Sequence, residues 1–257
     1  MDRQALVCRN ILEKPDITQR EMAKNMDISL GTVNGLVKEC LAEGYIAEEE
    51  NGKEKHLILL EKGKELLKPY KVDGALIIAA GFGSRFVPLT FETPKGLLEV
   101  FGERMIERQI KQLHEVGIYD ITIVVGYLKE KFEYLIDKFD VKLLYNPEYS
   151  CKNTLATVYR ARKFLKGRNV YILSSDNWMR ENMYHSYECG AWYSAAHEEG
   201  ETKEWCLTFN KKGRISDVNV GGKDAWFMYG PVYLSREFSA RFLPVLEAYY
   251  QIPGTEQ

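Results

Sequence analysis

The chain has 257 residues, 45% of them apolar, and a formal charge of −2 at neutral pH. That is the make-up of a globular protein with room for one large domain and one small one, and the charge excludes bulk attraction to nucleic acid or to an anionic membrane. The five cysteines (Cys8, Cys40, Cys151, Cys189, Cys206) show no C-x-x-C spacing. This excludes a patterned disulfide frame or zinc site and reads as the reduced thiols of a cytoplasmic protein. No apolar run reaches the length of a membrane span, so membrane insertion is not expected, and residues 1–20 lack the signal-peptide pattern.

Residues 2–13 place Ala5, Leu6, Cys8, Ile11 and Leu12 on one helical face, and Pro15 stops that helix. Thr18 is the expected N-cap of a second helix, with Glu21 three residues on to complete a capping box. Ser29 starts a third, ended by Gly44. Tyr45–Glu50 and His56–Leu60 read as two strands joined at Asn51-Gly52-Lys53, and a short helix, EKGKELLKPY, leads to a linker at Val72-Asp73-Gly74. Three helices and a hairpin resemble the winged helix-turn-helix of bacterial regulators. Residues 1–73 carry 12 Lys+Arg against 14 Asp+Glu, and Lys38 is the one basic residue expected on the exposed face of the third helix. DNA affinity rests largely on neutralised phosphates, so DNA binding is possible but poorly supplied here. Docking or association into a homo-oligomer is an equal reading of this segment.

The second segment, 74–257, opens with Leu76-Ile77-Ile78, a short β-branched run that reads as a buried strand. Ala79, Ala80, Gly81, Phe82, Gly83, Ser84 and Arg85 follow it. Gly81 and Gly83 are expected to take positive φ and let backbone N–H groups approach an anion. Arg85 adds a fork suited to phosphate oxygens and Lys95 a point charge. The third glycine of a dinucleotide fingerprint would fall at Phe86, and the Gly-Lys-Ser/Thr of a Walker loop is absent.

Beyond the loop, RMIERQIKQLHEVGI reads as a helix with Ile106, Ile110, Leu113 and Val116 inward and Gly117 as its stop. Ile121–Val125 is the next strand, KEKFEYLIDKF a helix, Val141–Tyr145 a strand, Thr154–Leu165 a helix and Val170–Leu173 a strand. Such alternation predicts a mostly parallel sheet with ligands beyond the carboxyl ends of its strands. The glycine loop, Gly126-Tyr127 and Ser174–Asn177 all fall at such ends. Asp176 there can hold Mg²⁺ beside a triphosphate, or simply cap a turn. Residues 191–233 read as four further strands, with turns at Lys211-Lys212-Gly213 and Gly221-Gly222. A final helix is interrupted by Pro244.

Taken whole, Ala79-Ala80-Gly81, Arg85, Pro88-Leu89-Thr90 and Thr93-Pro94-Lys95 resemble the signature of nucleotidyltransferases that make NDP-sugars and CDP-alcohols. The stretch from Ala75 to about Tyr250 resembles the bacterial CTP:phosphocholine cytidylyltransferases. It does so also at Val125–Glu130, Tyr145–Tyr149, Ser175-Asp176-Asn177 and Glu204-Trp205. The resemblance implies an α/β fold, a Rossmann-like mixed, mostly parallel sheet, preceded by the small winged-helix domain. It implies transfer of CMP from CTP to phosphocholine, with Arg85, Lys95 and Asp176 catalytic and Mg²⁺ on Asp176. CTP is then held by Ala79, Ala80, Gly81, Gly83, Ser84 and Arg85, with Tyr127 and Asn153 near base and ribose. Trp205 is expected to face the phosphocholine ammonium, whose natural partner is an aromatic face. Members of that family continue past the point matching Gln257, with a second metal aspartate and another aromatic. The expectation is therefore of a fragment, since Asp217, Asp224 and Glu237 do not stand in the matching context. Two other readings stay open: transfer to another phosphoalcohol or a sugar 1-phosphate, and a regulator that only senses a nucleotide.

Overall fold

The computed structural model describes residues 2–51, 54–211 and 213–254, with the side chains of Glu50, Asn51, Glu54, Lys55 and Arg85 outside the description. Gly52 and Lys53 of the expected hairpin turn, Lys212 and Gln257 lie outside the described residues. The chain divides into two units: Met1–Lys71 with Ser186–Gly190, and Val72–His185 with Ala191–Gln257.

The first unit follows its capping residues. Helix α1 (Arg3–Glu13) begins where Asp2 accepts from the backbone N–H of Gln4 and Ala5. Helix α2 (Gln19–Asn25) has both halves of the Thr18–Glu21 box, and α3 (Leu30–Ala42) starts at Ser29. Strands β1 (Ile46–Asn51) and β2 (Glu54–Leu59) pair antiparallel, and α4 (Glu61–Leu67) closes the unit with a 3-10 turn at Lys68–Tyr70. Ala5, Cys8, Ile11, Met22, Val37 and Cys40 form the core, while Leu12, expected inward, is exposed.

The sequence places the domain division after residue 73. In the structure it falls after Lys71, and five residues from much later in the chain also belong to this unit. Glu188 is there because Arg9 needs it: their ion pair is 2.8 Å long with side chains only 11% and 6% exposed. Its backbone N–H donates to the carbonyl of Tyr70, and Cys189 is buried in the same core.

In the second unit a six-stranded sheet runs β7-β6-β3-β8-β10-β9. Strands β3 (Gly74–Ala79), β6 (Ile121–Val125), β7 (Lys142–Tyr145) and β8 (Val170–Ser174) are parallel, whereas β10 (Ile215–Leu234) and β9 (Trp192–Phe209) are antiparallel. β3 and β6 are apolar and almost wholly buried, as strands covered on both faces must be. A two-residue hairpin, β4 (Glu99–Val100) with β5 (Glu103–Arg104), precedes α5 (Met105–Glu115). Ile106, Ile110 and Leu113 of α5 are fully buried, each worth about 1.5–3 kcal/mol of burial.

Four expectations need correction. The helix expected over KEKFEYLIDKF is a 3-10 turn at Lys129–Phe132 followed by α6 (Tyr134–Phe139). The Thr154–Leu165 helix breaks at Ala161 into α7 (Thr154–Arg160) and α8 (Arg162–Leu165). Helix α9 (Arg236–Tyr250) runs through Pro244 without interruption. Finally, the four strands of 191–233 are two long ones. No turn forms at Gly221-Gly222: Gly221 has φ +83°, and the register with β9 shifts there, so it is a bulge. Phe227 pairs with both Ala196 and Cys206, which bends the ribbon back on itself.

Candidate active site

Chain leaves the buried end of β3 and turns at once through Gly81–Ser84 into a 3-10 turn at Ser84–Phe86. Gly83 is left-handed, with φ +63°, and a Cβ there would lie 3.0 Å from Thr90 Cγ2 and 3.2 Å from Lys95 Cβ. Only glycine fits both the conformation and the space. The buried Thr90 locks the turn by donating its hydroxyl to the Gly83 carbonyl at 2.9 Å. Gly81, by contrast, does not take positive φ, and the space beside it is open.

This loop, the 3-10 turn at Lys95–Leu97 and the end of β8 enclose a cleft of about 290 Å³. Its walls include Gly81, Gly83, Ser84, Lys95, Thr154 and Asp176. The Lys95 ammonium donates to the Asp176 carboxylate, with side chains 20% and 24% exposed. Burial pushes the Asp176 carboxyl up, but Lys95, the Ser174 hydroxyl and its own backbone N–H outweigh this and hold it below the ordinary aspartate value. Asp176 is therefore an anion throughout the neutral range.

Two contacts fix that carboxylate. Gly96 lies so close to Ser175 that a Cβ would meet Ser175 Cβ at 2.7 Å. Gln109, wholly buried on α5, donates its amide to the carbonyls of Ser174 at 3.0 Å and Asn177 at 2.9 Å. Next to it, Arg108 and Gln112 donate to the Met179 carbonyl at 2.6 and 3.1 Å. Helix α5 thus clamps the whole turn after β8.

A wider cavity of about 800 Å³ adjoins the cleft and shares Phe86, Lys95 and Asp176 with it. Leu89, Leu98, Val100 and Met105 give it apolar walls, and Glu99, Asn177, Glu204 and Tyr229 add polar and aromatic ones. The Lys95 ammonium also sits 4.3 Å from the centre of the Phe86 ring.

Of the residues singled out from sequence, Ala79, Gly81, Gly83, Ser84, Lys95 and Asp176 meet in the cleft. Ala80 is buried behind it, and its carbonyl accepts from the Tyr127 N–H at 3.0 Å. Tyr127 itself donates its hydroxyl to the Phe91 carbonyl, packs its ring 5.1 Å from Phe82, and lines neither cavity. Asn153 caps α7 by accepting from the Leu155 N–H, and its neighbour Thr154 reaches the cleft instead. Arg85 lies on the loop, its side chain outside the description. Trp205 lines neither cavity and is 57% exposed. Neighbouring strand residues point to opposite faces, so Glu204 at the cavity turns Trp205 away from it.

Gln109, Glu204 and Tyr229 were not expected at the site. Gln109 did leave a signal: it sits in the apolar stripe of Ile106, Ile110 and Leu113, where a polar residue must have a buried partner.

Among the described residues, no group of three or more His, Cys, Asp or Glu could hold a metal ion. Asp176 offers a single hard carboxylate at a cleft suited to phosphates. That donor set fits Mg²⁺, which commonly takes one or two carboxylates and completes its shell with phosphates and water. Asp217 and Asp224 line neither cavity: Asp217 accepts from Val218 and Asn219, and Asp224 from the Gly200 N–H.

A mixed, mostly parallel α/β domain with a glycine loop after its first strand and a Lys–Asp pair at the strand ends is the arrangement of a nucleotide-handling transferase. Comparison with known proteins agrees. The family described as Nucleotidyl transferase matches residues 74–198, and that described as winged helix-turn-helix DNA-binding matches residues 9–47. The chain is 34% identical over 176 residues to the choline-phosphate cytidylyltransferase of Streptococcus pneumoniae, spanning 68% of this chain and 76% of that one. It is 35% identical over 185 residues to the 2-aminoethylphosphonate cytidylyltransferase of Lancefieldella rimae, spanning 71% and 75%. The solved structure of the Streptococcus pneumoniae CTP:phosphocholine cytidylyltransferase superposes with a TM-score of 0.65 at 33% identity, covering 70% of this chain and 78% of that one. The chain belongs to the nucleotidyltransferase family, in its cytidylyltransferase branch, and carries a winged helix-turn-helix before the catalytic domain.

Proposed function

We propose that this enzyme transfers the cytidylyl group of CTP to phosphocholine and releases pyrophosphate. One observation carries the reading: Lys95 and Asp176 stand where the glycine-loop cleft and the wider cavity meet, and line both. A nucleotide triphosphate in the first and an acceptor phosphate in the second would bring their reacting atoms together beside that pair.

The acceptor's phosphate oxygen attacks the α-phosphorus, and the bond from that phosphorus to the pyrophosphate oxygen breaks. Pyrophosphate leaves with the bonding electron pair. The nucleophile is already anionic near neutral pH, since the second pKa of a phosphomonoester is about 6, so no general base is required. The protein's task is positioning and charge neutralisation. Lys95 neutralises the α-phosphate and the incoming phosphate. The loop N–H groups around Gly81 to Ser84, with Arg85, hold the β- and γ-phosphates. Asp176 would hold Mg²⁺, which when bound supplies further charge neutralisation on the phosphates. Tyr127 and Asn153 support the base and ribose region indirectly, through the Phe82 ring and the start of α7.

A second acceptor, 2-aminoethylphosphonate, is favoured by one feature: the carboxylates of Glu99 and Glu204 on the acceptor cavity, which suit an ammonium bearing N–H donors. Pyrophosphate release from CTP tests both, using phosphocholine, 2-aminoethylphosphonate, glycerol 3-phosphate and glucose 1-phosphate. The highest kcat/KM is expected with phosphocholine. A clear preference for glucose 1-phosphate would overturn the reading.

A further inference from the structure

We propose that Tyr250, in the last turn of α9, is a positioning residue for the nucleotide. Its hydroxyl latches the connector 146–153 against the glycine loop, and with it one wall of the cleft. This rests on the reading of that cleft as the CTP site.

The connector joins β7 to α7 and has no strand or helix of its own, yet it meets the site at two points. Thr154, directly after it, lines the cleft. Tyr149 lies so close over Gly126 that a Cβ there would meet Tyr149 Cβ at 2.6 Å. The Tyr149 ring also packs 5.3 Å from that of Phe82, which stands between Gly81 and Gly83. The connector therefore backs the loop proposed to hold the β- and γ-phosphates. With no ladder of its own, its placement falls to side chains. At its start Asn146, wholly buried, donates its amide to the Thr157 hydroxyl and accepts from the Glu148 N–H, both at 3.1 Å.

Across its middle the hold comes from α9. The Tyr250 hydroxyl donates to the Glu148 carboxylate at 2.7 Å and accepts from the Lys152 ammonium at 3.0 Å. Lys152 and Glu148 pair with each other at 2.7 Å, and the same ammonium lies 4.1 Å from the centre of the Tyr250 ring. Lys152 and the hydroxyl together hold the Glu148 carboxyl below its ordinary value, so the acceptor stays charged and its bonds are charge-assisted.

Tyr250 can serve as a latch because other contacts fix it. Its ring stacks on Tyr159 of α7 at 3.7 Å and 7°. One turn earlier, Leu246 is buried in the cluster that holds Val158 and Leu165, and Glu247 lies 3.5 Å from Arg162. Glu148, Lys152 and Tyr250 line neither cavity, so they act on a nucleotide only through Tyr149 and Thr154.

The test compares wild type, Tyr250→Phe and Tyr250→Ala as the intact chain. Phenylalanine keeps the ring on Tyr159 and removes only the hydroxyl. In Tyr250→Phe the Kd for CTP, by calorimetric titration, and the KM for CTP rise about three- to tenfold, the size of one net hydrogen bond. KM for phosphocholine stays put. Tyr250→Ala loses more, or fails to fold, and the phenylalanine variant then decides alone. Unchanged CTP affinity in Tyr250→Phe, or an equal rise in both KM values, overturns the positioning role. If the wild type binds no CTP, the nucleotide reading fails on its own, and amide hydrogen exchange decides the latch. Faster exchange over 146–153 in Tyr250→Phe, with β3 and β6 unchanged, supports it, and equal exchange overturns it.

Discussion

At the ends of β3 and β8, side chains are held by buried polar contacts: Thr90 on the Gly83 carbonyl, Gln109 on Ser174 and Asn177, Gly96 against Ser175. Along β9 and β10 the strands are longer, yet only Cys206 of β9 is buried, and bulges interrupt the pairing. The cleft is therefore over-determined, while the ribbon is held mainly by backbone pairing. The first region is built for rigid placement of charge, and the second leaves more room for local adjustment.

The sharpest way to break that contrast is Lys95→Ala. Loss of a preorganised charge is expected to lower kcat by about 10² or more, far beyond what the loss of stability from the unpaired Asp176 carboxylate accounts for. Steady-state kinetics beside a thermal melt checks this, and wild-type turnover would remove Lys95 from the mechanism. Gly96→Ala comes next. Its new Cβ must push on Ser175, so a stability loss of about 1–3 kcal/mol in denaturant melts should come with reduced kcat. Full activity in that variant would mean that the Asp176 turn is softer than its packing implies.

On the ribbon the same kind of change does less. Gly221→Ala places a side chain at φ +83° and should cost about 1 kcal/mol locally, with little change in kcat. A large loss of turnover would show that the ribbon is as tightly coupled to the chemistry as the cleft. Trp205→Ala is expected to raise KM for phosphocholine by less than about threefold, less than Tyr229→Ala. The reverse order would return Trp205 to the acceptor site.

The pH response separates the regions most finely. The folded Asp176 carboxyl titrates below its ordinary value of 3.8. Its ion pair with Lys95 thus stabilises the fold fully above that value and loses its contribution as pH falls through the lower folded one. The stability difference between wild type and Asp176→Asn should be constant near neutrality and shrink below about pH 4. A difference that vanished between pH 5 and 7 would contradict the sign of the shift.

The readable parts of this fold are those where one local force decides. Thr18, Glu21 and Ser29 start helices because a short side chain there satisfies backbone donors, whatever lies beyond. Strands β3 and β6 are continuous apolar runs that only a doubly covered sheet accommodates. Asp176 could be placed because a carboxylate following such a strand emerges at the ligand-binding edge. The illegible parts depend on partners distant in sequence. A glycine pair such as Gly221-Gly222 reads the same whether it turns a chain or bulges a strand. The side of β9 that Trp205 faces depends on register with Val220 of β10 and on the bend beyond it. No local pattern marks Ser186–Gly190 as part of the first unit.

That last feature bears on how the protein is made. The N-terminal unit leaves the ribosome first, yet Glu188 and Cys189 of its core follow the last residue of its main segment, Lys71, by more than a hundred positions. At a synthesis rate of roughly 5–20 residues per second, the interval is roughly 6–24 seconds. Through that time Arg9 has no Glu188 to pair with, and the site taken by Cys189 is open. Helices α1 to α3 can form early, but the finished unit must wait for the strands that build the catalytic sheet. The chain is thus two units in space but not two successive episodes of folding.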